Sequence, residues 1–343
     1  MRDEDGPFHP FGKFRAGPSA FILCLADGTR LVLQAGDEDA ARIVNFFARA
    51  AQLSPAPHPL SPHTRCLLTV TARNGSDHQV FECDTANEAD AVCVLAQPDA
   101  PRRRRKRDFI KAGTPGRARR SKPEPLPEEQ WFWQQLARLS AAIARETQPR
   151  GGVLLHSGLA AHPDLSGLSR RTSDNLTGLR GILLAGRSGV GKSTACRRLP
   201  LPWRALADDV TLVVRDSAAR GADAFLAHPW PTWSCFFGDK AGDGSDHWEI
   251  QEAAPLRAIV VMEQGNEDRI EPLGPGHALA LLTELARQAS EHLVQAIPKD
   301  EVPAFHCQSF DNLSALVRAV PAYLLHVSLD GAFWEEIEQV LKD

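Results

Sequence analysis

The spacing of apolar residues predicts a small strand-rich region before residue 100. Residues 19–35 contain two β-type runs on either side of Asp27 and Gly28, a strong pattern for a β-hairpin. Residues 37–53 begin with acids and continue with apolar residues at helical spacing, which predicts an amphipathic helix. Further short β-type runs occupy 66–72, 79–83 and 91–96. We therefore expect residues 1–100 to form a small N-terminal α+β domain.

The residues after 127 alternate between strand and helix patterns. Residues 128–146 carry an apolar stripe at helical spacing, and we interpret its tryptophans as core side chains rather than a ligand cage. The predicted strands are 151–160, 181–185, 204–207, 210–215, 256–263 and 322–328, and the predicted helices are 192–199, 276–295 and 331–342. Such alternation is typical of an α/β layer architecture, so we expect residues 128–343 to form an α/β domain.

Charge separates these two regions. The chain of 343 residues has a formal net charge of −4, yet residues 102–122 hold eleven Lys and Arg against one acid, which leaves −14 on the rest. Few apolar residues in 101–127 offset the entropy of ordering the backbone, so we interpret this stretch as a basic, Pro-rich linker. Its basic residues are either solvated or a docking strip for an acidic partner or a phosphate backbone. Because interleaved aromatics are lacking, nucleic acid is the less favoured partner.

Composition narrows the class of protein further. No apolar run approaches the roughly 18 residues that cross a bilayer, so we expect no membrane partner. The first residues hold acids and no apolar stretch of the kind found in signal peptides. Seven cysteines are scattered without a Cys-x-x-Cys pair, which argues against a zinc site or a disulfide framework. Together these features favour a cytoplasmic location.

Residues 186–193 read Gly-Arg-Ser-Gly-Val-Gly-Lys-Ser and fit the phosphate-loop pattern G-x-x-x-x-G-K-[ST]. The glycines let several backbone N–H groups approach phosphate oxygens, Lys192 can reach the β- and γ-phosphates, and the Ser193 hydroxyl can bind Mg²⁺. A predicted strand precedes the pattern and a predicted helix follows it, which is the context that such a loop needs. We therefore predict a nucleoside triphosphate site formed by Gly186, Arg187, Ser188, Gly189, Val190, Gly191, Lys192, Ser193 and Thr194.

Acidic residues follow two of the predicted strands. Asp208 and Asp209 come directly after residues 204–207, and alternation would turn one carboxylate toward the site and the other away. Two close carboxylates raise the pKa of one of them, which suits a general base. The alternative for this pair is an exposed turn between strands. For Glu263, which ends another predicted strand, a metal-site role and an ordinary surface turn are equally open.

Two further segments have two interpretations each. His156 follows a strand-like run and is either a structural histidine or a member of the site. Residues 227–234 combine two prolines, two tryptophans and two hydroxyl side chains. They form either a rigid loop beside a substrate pocket or a connection that Trp230 and Trp233 anchor in the core.

The order of three segments, at 156–160, 181–194 and 205–209, resembles the kinase domain of HPr kinase/phosphorylase. The resemblance extends over about residues 150–270 and implies a phosphoenolpyruvate-carboxykinase-like P-loop fold. It also implies a catalytic group, which consists of His156, Lys192, Asp208 and Asp209. In that group Asp209 stands at the general-base position, and Ser193 and Asp209 are the expected ligands of Mg²⁺.

The chain also departs from that family. The Glu-Ile-Arg-Gly-Leu-Gly stretch of the family has no counterpart, because residues 228–238 stand at that point. This departure argues against phosphorylase activity and against the protein HPr as the substrate. Several segments look instead like the HPr-kinase-related ScmC group, proteins of a peptide-modification gene cassette named SynChlorMet. These segments are 228–234, 255–264, 267–273 and 333–341.

The expected function is that of an ATP- and Mg²⁺-dependent kinase that transfers the γ-phosphoryl group to a hydroxyl of a peptide, a protein or a small molecule. Asp209 would accept the hydroxyl proton, and Asp208 would position metal or water. His156 would orient Asp209 or a phosphate oxygen. Two other functions stay open. One is a nucleotide-gated binding module in which ATP only changes the conformation, and the other is a plain ATPase with Glu263 as its acid.

Overall fold

The computed structural model describes residues 20–35, 38–56, 67–73, 90–96, 128–163, 179–216, 224–232, 248–294 and 297–342. These residues form two β-sheets and seven α-helices, so the chain is a mixed α/β protein, as the alternating pattern predicted. The predicted strand at 79–83, the linker at 101–127 and Trp233 lie outside the described residues. In the part of the chain that the structure describes, no helix is long and apolar enough to cross a membrane.

The smaller sheet has five strands, which are β1 (Ala20–Cys24), β2 (Arg30–Ala35), β3 (Ser54–Pro55), β4 (Leu67–Arg73) and β5 (Asp90–Ala96). They lie in the order β3-β1-β2-β4-β5. The antiparallel β1–β2 pair confirms the hairpin predicted around Asp27 and Gly28. Helix α1 (Glu38–Ala50) follows the hairpin and confirms the predicted amphipathic helix.

The larger sheet has nine strands and contains the predicted nucleotide region. The strands are β6 (Val153–Leu155), β7 (Ser157–Pro163), β8 (Leu179–Ala185), β9 (Arg204–Ala207), β10 (Thr211–Arg215), β11 (Phe225–Pro229), β12 (Ala254–Gln264), β13 (Arg269–Pro272) and β14 (Ala322–Val327). Their main path is β6-β10-β11-β12-β8-β7-β9, and β14 pairs with both β12 and β13. Strands β8, β12 and β14 are mutually parallel at the centre, and the pairs toward both edges are antiparallel.

Helices cover both faces of the larger sheet. Beside the sheet lie α2 (Glu128–Thr147), α3 (Lys192–Arg198), α4 (Pro275–Ala289), α5 (Glu291–Val294), α6 (Val302–Ala319) and α7 (Phe333–Lys342). Apolar residues of α4 and α6 pack with β8 and β12 in one core, and those of α3 and α7 pack with the same strands in another. The central strands are therefore buried on both sides, which is usual for parallel strands.

The structure corrects several predicted boundaries. The predicted strand 151–160 is two strands, because the chain bends at His156 between β6 and β7. The predicted helix 276–295 is divided at Ser290 into α4 and α5. Strand β11 was not predicted, because all its residues are buried and its sequence therefore lacks an alternation of apolar and polar residues. Helix α6 also escaped, since polar residues interrupt its apolar stripe.

A shared core joins the smaller sheet to the larger one. Phe46 of α1 contacts Phe132 and Trp133 of α2 edge to face, with ring centroids 5.3 and 5.4 Å apart. The same cluster includes Leu212 and Trp230 of the larger sheet region. The division into residues 1–100 and 128–343 stays a prediction, and the two regions bury apolar surface against each other.

Candidate functional site

Three strand ends meet at one edge of the larger sheet and bring the predicted site residues together. Strand β8 ends at Ala185, immediately before the glycine loop, residues 186–191. Strand β7 runs antiparallel to β8 with its first residue opposite Ala185, so His156 lies at the same edge. Strand β9 is antiparallel to β7 and hence parallel to β8, so its carboxyl end brings Asp208 and Asp209 to that edge as well.

The glycine loop has the backbone conformation that its sequence predicts. Gly189 has φ +82° and Gly191 has φ +109°, which are left-handed values that glycine adopts without steric cost. The N–H of Val190 donates to the carbonyl of Arg187 at 3.2 Å, and α3 begins directly after Gly191. The loop leaves Arg187, Ser188, Gly189 and Thr194 exposed and Ser193 half-buried.

Lys192 is turned into the protein and is only 5% exposed. Its Nζ donates to the carbonyl oxygens of Gly186 at 2.8 Å and Arg187 at 3.3 Å, and lies 3.2 Å from Nε2 of His156. Burial lowers the pKa of Lys192, and the nearby carboxylate of Asp209 opposes that change. Because its three donors already have protein acceptors, Lys192 would have to exchange loop carbonyls for phosphate oxygens when a nucleotide binds.

His156 joins Lys192 to Asp209. Its Nδ1 atom lies 3.2 Å from Oδ1 of Asp209, and its Nε2 atom faces Lys192. Since the ammonium group of Lys192 can only donate, we assign the ring proton to Nδ1, which then donates to the carboxylate. Burial is the main cause that lowers the pKa of His156, and Asp209 raises it in opposition. His156 is therefore a neutral imidazole that lies between the ammonium group of Lys192 and the carboxylate of Asp209.

The two aspartates, which follow the end of β9, have different surroundings. The side chain of Asp209 is 30% exposed and contacts His156, whereas Asp208 is exposed. Burial raises the pKa of Asp209, and His156 opposes that change, while the charge of Asp208 adds to it. Asp209 is therefore the carboxylate that lies within the site and whose proton affinity is increased.

Two hydrogen bonds that the sequence did not reveal support this arrangement. The carbonyl of Leu285 in α4 accepts a hydrogen bond from the backbone N–H of His156 at 3.3 Å. The Oγ1 hydroxyl of Thr211 donates to the carbonyl of Ser157 at 3.0 Å and ties β10 to the start of β7. These contacts link segments that are far apart in sequence, so no local pattern could have predicted them.

The end of β12 contributes Gln264 rather than Glu263 to the glycine loop. Nε2 of Gln264 donates to the carbonyl of Gly189 at 3.4 Å. Successive side chains of a strand point to opposite faces, so Glu263 is directed away from the face that Gln264 occupies. Of the two interpretations of Glu263, its exposure and direction favour the surface residue.

Residues 227–232 form a connection that is anchored in the core, and not a loop beside a pocket. Trp230 is 1% exposed and packs in the core shared by the two sheets. His228 is fully buried in β11, where Nδ1 donates to the carbonyl of Ile250 at 2.8 Å and Nε2 accepts from the N–H of Ala26 at 3.2 Å. Burial lowers the pKa of His228 to about 4, so it is a neutral structural residue.

The residues at this edge fit Mg²⁺ only together with substrate oxygens. Within the described ranges, no group of three or more His, Cys, Asp or Glu side chains could hold a metal ion. The half-buried hydroxyl of Ser193 and the carboxylate of Asp209 are oxygen donors, the type that Mg²⁺ prefers. Mg²⁺ commonly takes one or two protein ligands and completes its shell with phosphate oxygens and water, and this donor set is of that kind.

Comparison with known protein families identifies the family of this chain. It is a mixed α/β protein with a glycine-rich loop at the centre of its larger sheet. The family model described as SynChlorMet cassette protein ScmC matches residues 124–342, well over half of the chain, so the chain belongs to this family. No curated protein matches it.

Proposed function

We propose that this protein is an ATP- and Mg²⁺-dependent kinase related to HPr kinase, with a phosphoenolpyruvate-carboxykinase-like P-loop fold. The acceptor is a hydroxyl group of a peptide, a protein or a small molecule. The observation that carries the proposal is the chain of contacts from the glycine loop through Lys192 and His156 to Asp209. A plain surface turn would not connect a buried lysine, a neutral histidine and a carboxylate in this way.

In the proposed reaction, the acceptor oxygen forms a bond to the γ-phosphorus as the bond from that phosphorus to the β–γ bridging oxygen breaks. ADP is the leaving group, and the hydroxyl proton passes to the carboxylate of Asp209. A raised pKa makes Asp209 a better proton acceptor than an ordinary aspartate. His156 holds that carboxylate in place through its Nδ1–H group.

In this proposal, Lys192 and Mg²⁺ would neutralise the negative charge of the phosphate groups. Lys192 would give up its contacts with the carbonyls of Gly186 and Arg187 and bind the β- and γ-phosphates instead. Ser193 and Asp209 would hold Mg²⁺, which would supply positive charge against the phosphate oxygens, and Asp208 would position metal or water. Catalysis of phosphoryl transfer rests mostly on such positioning and electrostatic stabilisation.

One observation favours a second candidate, the nucleotide-gated binding module. The smaller sheet and the larger sheet share one apolar core, so the N-terminal region packs against the sheet that carries the glycine loop, and a shift of that sheet on nucleotide binding would reach this region. The plain ATPase has less support, because its expected acid, Glu263, is directed away from the face where Gln264 meets the loop.

Transfer of labelled phosphate tests the kinase proposal. The purified full chain would be incubated with γ-labelled Mg·ATP and a lysate of its source, beside Asp209→Asn and the control Asp311→Asn, which alters an exposed aspartate of α6. The kinase predicts label on a peptide, protein or metabolite with wild type and control only. Release of free phosphate alone would indicate an ATPase, and nucleotide binding without turnover would indicate the gated module.

A further inference from the structure

Among the residues that the structure describes, Gln264 lies outside the predicted site residues and contacts the apex of the glycine loop directly. Strand β12 lies beside β8 and parallel to it, with Val261 opposite Ala185. The chain of β12 therefore reaches the loop from the neighbouring strand, and Nε2 of Gln264 donates to the carbonyl of Gly189. Neither composition nor the loop pattern points to this residue.

The backbone at Gln264 is fixed and its side chain is exposed. Gln264 lies opposite Val327 in the parallel pairing of β12 with β14, and the N–H of Gly265 donates to the carbonyl of Val327 at 3.0 Å. The carboxamide itself is exposed to solvent. Because the backbone is held and the amide is accessible, rotation of the side chain alone can move the amide between partners at the loop.

The present partner of this amide is a weak one. At 3.4 Å, the contact from Nε2 to the Gly189 carbonyl is longer than the usual range of about 2.7 to 3.2 Å for N–H···O bonds, and it lies in solvent. A phosphate oxygen carries negative charge, so a hydrogen bond to it is stronger than one to a neutral carbonyl. An amide at this position would therefore gain by exchanging the carbonyl for a phosphate.

We propose that Gln264 exchanges the carbonyl of Gly189 for an oxygen of the γ-phosphate and thereby distinguishes a nucleoside triphosphate from a diphosphate. This inference rests on the proposed nucleotide site. Gln264 is a binding residue for the terminal phosphate, and it carries no proton in the reaction. It differs in this from Lys192, which serves both the β- and the γ-phosphate.

Calorimetric titration of the purified full chain tests the assignment without turnover. The ligands are Mg·ADP and the Mg²⁺ complex of the ATP analogue in which nitrogen replaces the β–γ bridging oxygen. The proteins are wild type, Gln264→Ala, Gln264→Glu and the control Gln308→Ala, which removes an exposed glutamine of α6. We expect Gln264→Ala to weaken binding of the analogue about tenfold, as loss of one hydrogen bond to a charged group does, and binding of Mg·ADP less than about twofold.

The glutamate variant separates a phosphate contact from a contact that only holds the loop. A carboxylate beside the γ-phosphate repels it, so Gln264→Glu should weaken analogue binding more than Gln264→Ala does. Equal losses for both nucleotides, or no loss for either, would overturn the assignment of Gln264. Retained Mg·ADP binding shows that each variant is folded. Failure of wild type to bind either nucleotide would instead overturn the proposed function, and this inference with it.

Discussion

Nδ1 of His156 lies 3.2 Å from Oδ1 of Asp209, across the junction between two strands and a turn. The chain bends at His156, between β6 and β7. In a continuous strand, the alternation of side chains would alone fix the direction of His156, whereas at the bend its ring is directed to Asp209. The ring then bridges Asp209 to Lys192 on its other side.

Replacement of Asp209 by asparagine should abolish most of the phosphoryl transfer. The substitution keeps the size of the side chain and removes the proton acceptor, so we expect a loss in kcat of about 100-fold or more. Single-turnover transfer of labelled phosphate measures it. If Asp209→Asn transfers phosphate at the rate of wild type, Asp209 is not the base.

Replacement of His156 by glutamine should lower the rate of transfer less than replacement of Asp209 does, because His156 only orients the Asp209 carboxylate. Because His156 holds the Asp209 carboxylate through one hydrogen bond, its loss should lower kcat by about tenfold. The KM for Mg·ATP should change little, since Lys192 and the glycine loop, and not His156, would bind the phosphates. A rise in KM at constant kcat would show that His156 acts on nucleotide binding instead.

Acid should destabilise the fold through His228. Burial lowers the pKa of His228 to about 4, below the ordinary value of about 6.5, so the unfolded chain binds the proton more readily than the folded one. The free energy of unfolding should thus be unaffected by this group above about pH 7 and should fall as the pH drops from about 6.5 to about 4, by up to about 1.4 kcal/mol per pH unit.

Urea titrations at a series of pH values measure this contribution. The matched variant is His228→Gln, which can still accept from the N–H of Ala26 and does not titrate. The variant should be less stable at neutral pH, because a flexible carboxamide does not hold its donor and its acceptor in the positions of Nδ1 and Nε2 as the rigid imidazole does. Its stability should fall less steeply with acid. Parallel curves for the two proteins would contradict a buried, neutral His228.

Cys196 should resist alkylation while the protein is folded. Its thiol lies within α3 against the carbonyl of Ala207 at 3.6 Å, and burial raises its pKa to about 12, so almost no thiolate forms at pH 8. Cys24 and Cys307 are exposed. Peptide mapping after iodoacetamide treatment should find label on those two and reach Cys196 only in denaturant. Rapid labelling of Cys196 in the native protein would contradict the packing of α3 against β9.

Sequence patterns predicted the parts of the site that are local. The glycine loop has a fixed spacing, and the strand before Asp208 and Asp209 ends where its apolar run ends. The hairpin at Asp27 and the helix after it follow from turn chemistry and helical periodicity in the same way. In each case the determinants lie within a few residues of one another.

The remaining parts depend on contacts between distant segments. The bend at His156 follows from pairing of β6 with β10 and of β7 with β8, which no window of sequence contains. Gln264 reaches the loop because β12 is the neighbour of β8, a matter of topology. The core position of Trp230 follows from packing against the N-terminal region. For Trp230 the sequence offered two alternatives that only the fold could separate, and no sequence pattern pointed to Gln264.

The turnover of Lys192→Ala is the most direct test of the proposed kinase. Phosphate released or transferred from γ-labelled Mg·ATP would be measured beside Lys299→Ala, which removes an exposed lysine and serves as the control. Because Lys192 is the buried cation that would neutralise the phosphates, its loss should lower turnover by about 10³-fold, with the control at the level of wild type. Turnover of Lys192→Ala close to that of wild type would contradict the account.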